Sequence, residues 1–326
     1  IYAVDVPTTT GYSSFYTNIG EIRNTGWEIG LGLKPVAKKD LVWEINAAYT
    51  LNRNTVEKLV DGLDRILFAG YTDAGSYLEP GMPFGYIRGD KAARSDNGEM
   101  LIDPNTGWPL VDPNYQYLGD PNPKYKLGLT NTVTFKGFSL SVLFDMTVGG
   151  IFYSESINSM LGRGVTKDNE DRETNRVIRG IYGNTTQVLG TDGKNHYVPM
   201  LIGGKTVPNQ TKITTNDLYF QAGIANATSF ATNSAAEFNV YGASVYRLRE
   251  ITFGYDFPVK MLSRFKITGV NLSVSGRNLW YLAPDTPKYI NYDPEISSFG
   301  TSSAQGFDIT GAPSTRRMGV NINITF

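Results

Sequence analysis

The stretch Ser314-Thr-Arg-Arg-Met-Gly-Val-Asn-Ile-Asn-Ile-Thr-Phe326 decides the reading of this chain. Met318, Val320, Ile322, Ile324 and Phe326 form an unbroken period-2 apolar row, opposite Arg317, Gly319, Asn321, Asn323 and Thr325. Side chains alternate across a strand, so one face is apolar over about ten residues and the other polar. That length and pattern fit a membrane-crossing β-strand with lipid on one side and water on the other. The competing reading is an edge strand of a soluble sandwich. Phe326, with Ile324 and Ile322 behind it, supplies the terminal aromatic strand on which outer-membrane barrel assembly is expected to act.

The same template recurs upstream. Phe138, Leu140, Val142, Phe144, Met146 and Val148 alternate with Ser139, Ser141, Leu143, Asp145 and Thr147. Tyr125, Leu127, Leu129, Val133 and Phe135 alternate with Lys126, Gly128, Thr130, Thr132 and Thr134, Asn131 being the lapse. Only Lys136-Gly137 separates the two, which predicts a tight hairpin with positive φ at the turn. Trp27 to Lys34, Leu41 to Leu51 and Val270 to Ser275 follow the alternation too. In Val245 to Phe257, Arg247, Arg249, Ile251 and Phe253 share one parity, so a bulge near Arg249 or Glu250 is expected. An arginine facing lipid at the midplane costs about 2–4 kcal/mol, which assigns Arg247 to the lumen or a membrane edge.

Connections sort by length. Those at 35–40, 136–137 and 258–264 are short, and those at 52–124, 149–243 and 281–313 are long and rich in Gly, Asn, Asp, Thr and Pro. Strict alternation of long and short links matches a barrel with short periplasmic turns and long extracellular loops. Unstructured loops beyond about 15 residues are uncommon in compact soluble domains. The fold class expected is therefore all-β, a transmembrane antiparallel barrel. About seven spanning strands are legible, or about nine if 52–124 hides a further hairpin around Pro83–Gly89. Single-chain bacterial barrels close with an even count, so the expectation is a piece, residues 1–326, of a larger barrel.

Composition narrows the function classes. No apolar run reaches the 18 or so residues of a transmembrane helix. Net charge is -1 with no basic stripe, which argues against nucleic acid. The chain has no cysteine, and its one histidine, His196, sits in a polar, glycine-rich stretch. Asp96-Asn-Gly-Glu and Asp103-Pro-Asn-Thr-Gly lack the order of a calcium loop, so neither a metal nor another cofactor is expected. Without a nucleophile–base pair, a phosphate loop or paired carboxylates, no enzyme activity is expected. Trp108, Tyr115, Tyr153 and Tyr182 lie in the long loops and could stack on a ligand, or pack those loops. Tyr292-Asp-Pro-Glu reads as a structural turn, with a ligand contact as the alternative. The charged stretch Lys167 to Arg176 reads as a solvated face or a partner contact.

Six runs carry a resemblance. They are Asn18-Ile-Gly-Glu-Ile-Arg-Asn-Thr-Gly-Trp-Glu-Ile29, Gly119-Asp-Pro-Asn-Pro-Lys-Tyr-Lys-Leu-Gly128, Tyr246-Arg-Leu-Arg-Glu-Ile-Thr-Phe-Gly-Tyr-Asp-Phe-Pro258, Ser275-Gly-Arg-Asn-Leu-Trp280, Tyr292-Asp-Pro-Glu295 and the terminus from Pro313. In this order they resemble the C-terminal part of SusC/RagA-type TonB-linked outer-membrane transporters. The resemblance implies a barrel of about 22 strands closed by a plug, with the plug domain and N-terminal strands outside this chain. It also implies a Bacteroidetes-type outer membrane with its lipid and lipopolysaccharide, energy from TonB, a SusD-like surface lipoprotein as lid, and import of oligosaccharides or peptides. A passive porin or adhesin barrel and a soluble all-β carbohydrate-binding protein are the alternatives.

Overall fold

The structure, a computed structural model, describes residues 2–5, 9, 11–12, 14–18, 20–70, 74–221, 235–262, 266–299 and 304–326. Seven strands make one sheet: β1 (Gly20–Lys38), β2 (Leu41–Leu59), β3 (Tyr125–Phe135), β4 (Phe138–Val148), β5 (Val245–Asp256), β6 (Gly269–Leu282) and β7 (Arg317–Thr325). Each strand pairs antiparallel with its sequence neighbours, giving an up-and-down meander from β1 to β7. The sheet is open, and β1 does not pair with β7. Among the described residues no helix is long and apolar enough to cross a membrane.

Register turns the period-2 pattern of each strand into a two-faced wall. Laterally aligned positions run Val36, Trp43, Val133, Leu140, Phe253, Val274, Val320 on one face. The adjacent row on the other face runs Glu44, Thr132, Ser141, Thr252, Ser275, Gly319. The apolar face stays open, with Ile29, Leu31, Leu140, Phe253, Val274 and Ile322 among its exposed side chains. An apolar area of this extent is stable only against lipid or protein. Asn131 keeps its lapse, lying between Ile45 and Val142 in an apolar row.

Local chemistry explains the irregularities. Lys136 (φ 46°) and Gly137 (φ 88°) both adopt positive φ, as a two-residue primed turn requires. Strand β1 runs further than the alternation predicts. It passes Pro35 because Leu33 aligns with Ile45 and Val36 with Trp43, so that Lys34 and Pro35 bulge opposite Glu44. A proline without an N–H is tolerated there, and Lys34 reaches Glu44 at 2.5 Å. The turn is therefore Lys39-Asp40 alone. In β5, Leu143 aligns with Glu250 and Phe144 with Leu248, which makes Arg249 the extra residue of the expected bulge. The link after β5 holds a short helical turn, Val259–Leu262.

The three long connections lie at one end of the sheet. The first does contain a hairpin, but its strands Ala74–Leu78 and Tyr86–Ala92 join Ile66–Gly70 and Val111–Gly119 in a separate four-stranded sheet. Among the described residues the spanning count is therefore seven, because those strands pair among themselves and not with the wall. All three connections share a core: Ala74 and Ile87 from the first, Tyr153 and Ala236 from the second, Phe307 from the third. Helix α1 (Glu155–Gly162) begins at Ser154, whose Oγ accepts from the Ile157 N–H at 3.1 Å and donates to Asp308 at 2.7 Å. That bond ties the third connection to the second.

Candidate functional site at the loop end of the polar face

Where β5 leaves the sheet, its bulge turns two arginines toward one another's partners. Arg247, on the polar face, is 1% exposed. Its Nη1 and Nη2 donate to the two Asp293 carboxylate oxygens at 3.0 and 2.7 Å, and Nη2 lies 3.1 Å from Glu295. Arg249 donates through Nε to Asp145 at 2.5 Å and through Nη1 and Nη2 to Glu295 at 3.1 and 2.9 Å. Arg247 Nε, 4.0 Å from Asp145, makes no hydrogen bond among the described residues. The ring of Tyr281 lies 5.4 Å from the Arg247 guanidinium carbon, in the range of a cation–π contact. Two fork-shaped cations thus face three carboxylates, the geometry in which charge-assisted pairs are strongest.

Asp293 and Glu295 belong to Tyr292-Asp-Pro-Glu, so this turn clamps the third connection onto the inner wall. Asp293 also accepts from the Glu295 N–H at 3.0 Å, closing the turn locally. Burial by itself raises the Asp293 carboxyl, but the Arg247 bonds and charge outweigh it and hold the group below the usual aspartate range. Tyr292 stacks on Phe152 at 6.3 Å, in a core with Ile157 and Leu161. Beside the clamp lies a cleft of about 350 Å³, lined by Pro121, Lys126, Thr147, Val245, Glu295 and Gln305 among others. It opens on the polar face and offers one cation, one anion, and hydroxyl and amide groups for hydrogen bonds.

The four loop aromatics do not converge. Tyr153 is 6% exposed and packs against Phe307 at 6.0 Å. Tyr182 is half-buried; its hydroxyl accepts from the Gln210 N–H at 3.1 Å and lies 3.1 Å from Thr211 Oγ1. Trp108, also half-buried, sits in the turn closed by the Asp103 N–H to Trp108 carbonyl bond of 2.8 Å. That turn meets the Tyr182 segment through Thr211, which donates to the Pro104 carbonyl at 3.0 Å. Tyr115 lies on the four-stranded sheet, its carbonyl accepting from Arg88 at 3.1 and 2.6 Å. Ile324 and Ile322 stand exposed on the apolar face of β7, and Phe326, one residue past its end, is exposed as well. Asp103 is used within its own turn, accepting from the Asn105 N–H at 2.8 Å. His196 pairs with Asp192 at 2.9 Å in a surface hairpin. In the charged stretch, Arg176 bonds Asp171 at 2.5 Å and Thr215 at 2.8 Å, so part of its charge is spent internally.

The clamp itself is what sequence reasoning missed. The signal was available in the odd parity of Arg247 and Arg249, two charges on a strand that must hide them. Their partners, 46 residues away, carried no corresponding mark.

A wall with one open apolar face, a polar face bearing buried ion pairs, and all long loops at one end defines a section of a transmembrane β-barrel. No protein-family model matches the chain. The chain is 23% identical over 98% of its length to TonB-dependent receptor P3 of Formosa agariphila, covering 30% of that protein. It is 22% identical over 91% of its length to the TonB-dependent receptor SusC of Bacteroides thetaiotaomicron, covering 26% of it. A solved structure of the RagAB peptide transporter superposes with a TM-score of 0.58 at 18% identity, over 99% of this chain and 31% of that one. The chain thus spans under a third of the length of these relatives. Sequence and fold together bear out the resemblance to SusC/RagA-type TonB-dependent receptors, which are receptors and transporters rather than enzymes.

Proposed function

We propose that this chain forms part of the wall and outer mouth of a TonB-energised importer in a bacterial outer membrane. The reading rests above all on the Arg247–Asp293 clamp. It fastens the third long connection over the inner face, where a passing solute would meet it. The open edges of β1 and β7 fit strands supplied by the rest of a longer protein, since unpaired edges invite pairing. The plug, the TonB-contacting segment and the earlier strands would belong to that remainder. Phe326, Ile324 and Ile322 would present the terminal strand to the assembly machinery.

The cargo is read as an oligosaccharide or a peptide. Trp108, Tyr115 and Tyr182 would offer ring faces from the loop end, while Tyr153 acts by packing. A SusD-like surface lipoprotein would close over the loops, with Lys167 to Arg176 as one contact. In intact cells, uptake of labelled oligosaccharides and peptides should require both this transporter and TonB. Uptake that persists after TonB is deleted sinks the active-importer reading and favours a passive pore.

A further inference from the structure

We propose that the short-turn end of the wall is a docking surface for anionic phospholipid headgroups. The proposal rests on the reading of this sheet as a membrane wall and adds a specificity to it. One lateral row on the apolar face runs Lys38, Leu41, Phe135, Phe138, Tyr255, Leu272, Ile322. Aromatic rings cluster at this level: Phe138 and Tyr255 of the row lie 4.4 Å apart, and Phe257, just past the end of β5, lies 5.0 Å from Tyr255. Girdles of aromatic residues at one level of a barrel mark the boundary between hydrocarbon and headgroups.

Lysines overlie that level. Lys38 ends its row, Lys39 lies in the next turn, and Lys136 places its ammonium 5.3 Å from the Phe135 ring centre. Lys260 lies within the helical turn Val259–Leu262, where Val259 (59%) and Met261 (64%) are exposed, and Lys266 follows it in the same connection. Two exposed apolar side chains beside lysines are stabilised when they enter an interface and the ammonium heads stay in the headgroup layer. All five lysines are exposed. The acidic side chains in the described turns and strand ends here are Asp40 and Asp256. Asp256 aligns with Asn271 on the polar face and accepts its amide at 2.7 Å, so it points away from the lipid side. Positive charge therefore dominates where headgroups would lie, and lysines near such a surface attract anionic lipid.

The test uses the full-length transporter in mild detergent, incubated with dioleoylphosphatidylglycerol or with phosphatidylcholine of the same tails. Bound lipid is counted by native mass spectrometry. Wild type should retain the anionic lipid about tenfold over the zwitterionic one. The variant Lys38→Gln/Lys136→Gln/Lys260→Gln should lose that preference, and the matching lysine-to-arginine variant should keep it. A loop control, Lys194→Gln/Lys205→Gln/Lys212→Gln, should behave as wild type. Equal retention of both lipids by wild type, or an undiminished preference in the glutamine variant, overturns the proposal. So does a preference erased by inorganic phosphate, which would indicate a free-anion site. Protein that stays monodisperse without detergent and binds neither lipid would instead fail the membrane reading beneath it.

Discussion

Replacing Asp293 by alanine should release the third long connection from the wall while leaving the barrel intact. Arg247 and Asp293 have side chains 1% and 3% exposed and share two hydrogen bonds of 3.0 and 2.7 Å. Removing one member of such a buried pair costs about 3–5 kcal/mol, because the other charge is left without compensation. Here Glu295, 3.1 Å from Arg247, remains as a second partner, so about 2–3 kcal/mol is the expected loss. That multiplies the population of the detached loop by about 30 to 150. Hydrogen–deuterium exchange of peptides within 283–299 and 304–316 should accelerate by that factor, with β5 and β6 unchanged. Alanine also removes the acceptor of the Glu295 N–H, so Asp293→Asn, which keeps an acceptor, serves as the control for turn loss. Replacing both partners, as Arg247→Met/Asp293→Leu, should restore much of the protection, since a well-packed apolar pair often matches a buried ion pair. Unchanged exchange in Asp293→Ala would refute the clamp. A double variant as fast as the single would mean that the charges act through something other than each other.

The remaining predictions address pH, the assignment of faces, and backbone strain. The folded Asp293 carboxyl lies below its ordinary value of about 3.9, so its contribution is complete above that value and lost as pH falls through the lower folded one. Loop protection should therefore stay flat from neutral pH to about pH 5 and fall only below about pH 4, a fall that Asp293→Asn should abolish. Ile322→Arg on the apolar face should cost about 2–4 kcal/mol in urea unfolding from lipid vesicles, whereas Asn323→Arg next to it should cost little. Equal costs would invalidate the inside–outside assignment. Asn131→Leu, between Ile45 and Val142, should raise the unfolding midpoint by removing an amide from an apolar row. Gly150 has φ 83°, and a Cβ there would lie 2.7 Å from the Pro121 carbonyl oxygen. Gly150→Ala should thus destabilise the base of the second connection by more than about 1 kcal/mol, visible as faster proteolysis at that connection.

The wall was legible because period 2 is a strong local rule and lipid enforces it on every strand. Alternation from Phe138 to Val148 and from Met318 to Phe326 gave face, length and direction, and the loop lengths gave the two ends. The bulge was legible for the same reason: a strand whose arginines share parity with Ile251 and Phe253 must shift by one residue, and Arg249 takes the shift. Boundaries were less legible. Pro35 read as the end of β1, yet a bulge absorbs it at an edge strand, where a missing N–H costs no bond of the described sheet. The region 52–124 left open a further spanning hairpin beside the seven strands, because its hairpin has strand chemistry. Which sheet a hairpin joins is decided by tertiary contacts, here the core around Ala74, Ile87 and Phe307.

The clamp lay beyond the reach of periodicity altogether. Asp293 sits in a turn whose local bonds are satisfied by its own neighbours, and nothing in Tyr292-Asp-Pro-Glu separates a carboxylate that closes a turn from one that also pins a distant arginine. The separation comes from the other end. A strand leaving the apolar region can carry Arg247 fully buried only if an anion is brought to it, since an unpaired buried guanidinium is prohibitively costly. Only residues on the polar side at the loop end can supply one, and Asp145 stands too far from Nε, at 4.0 Å, to do so alone. The buried arginine therefore demands a carboxylate from a long connection, and the third supplies two.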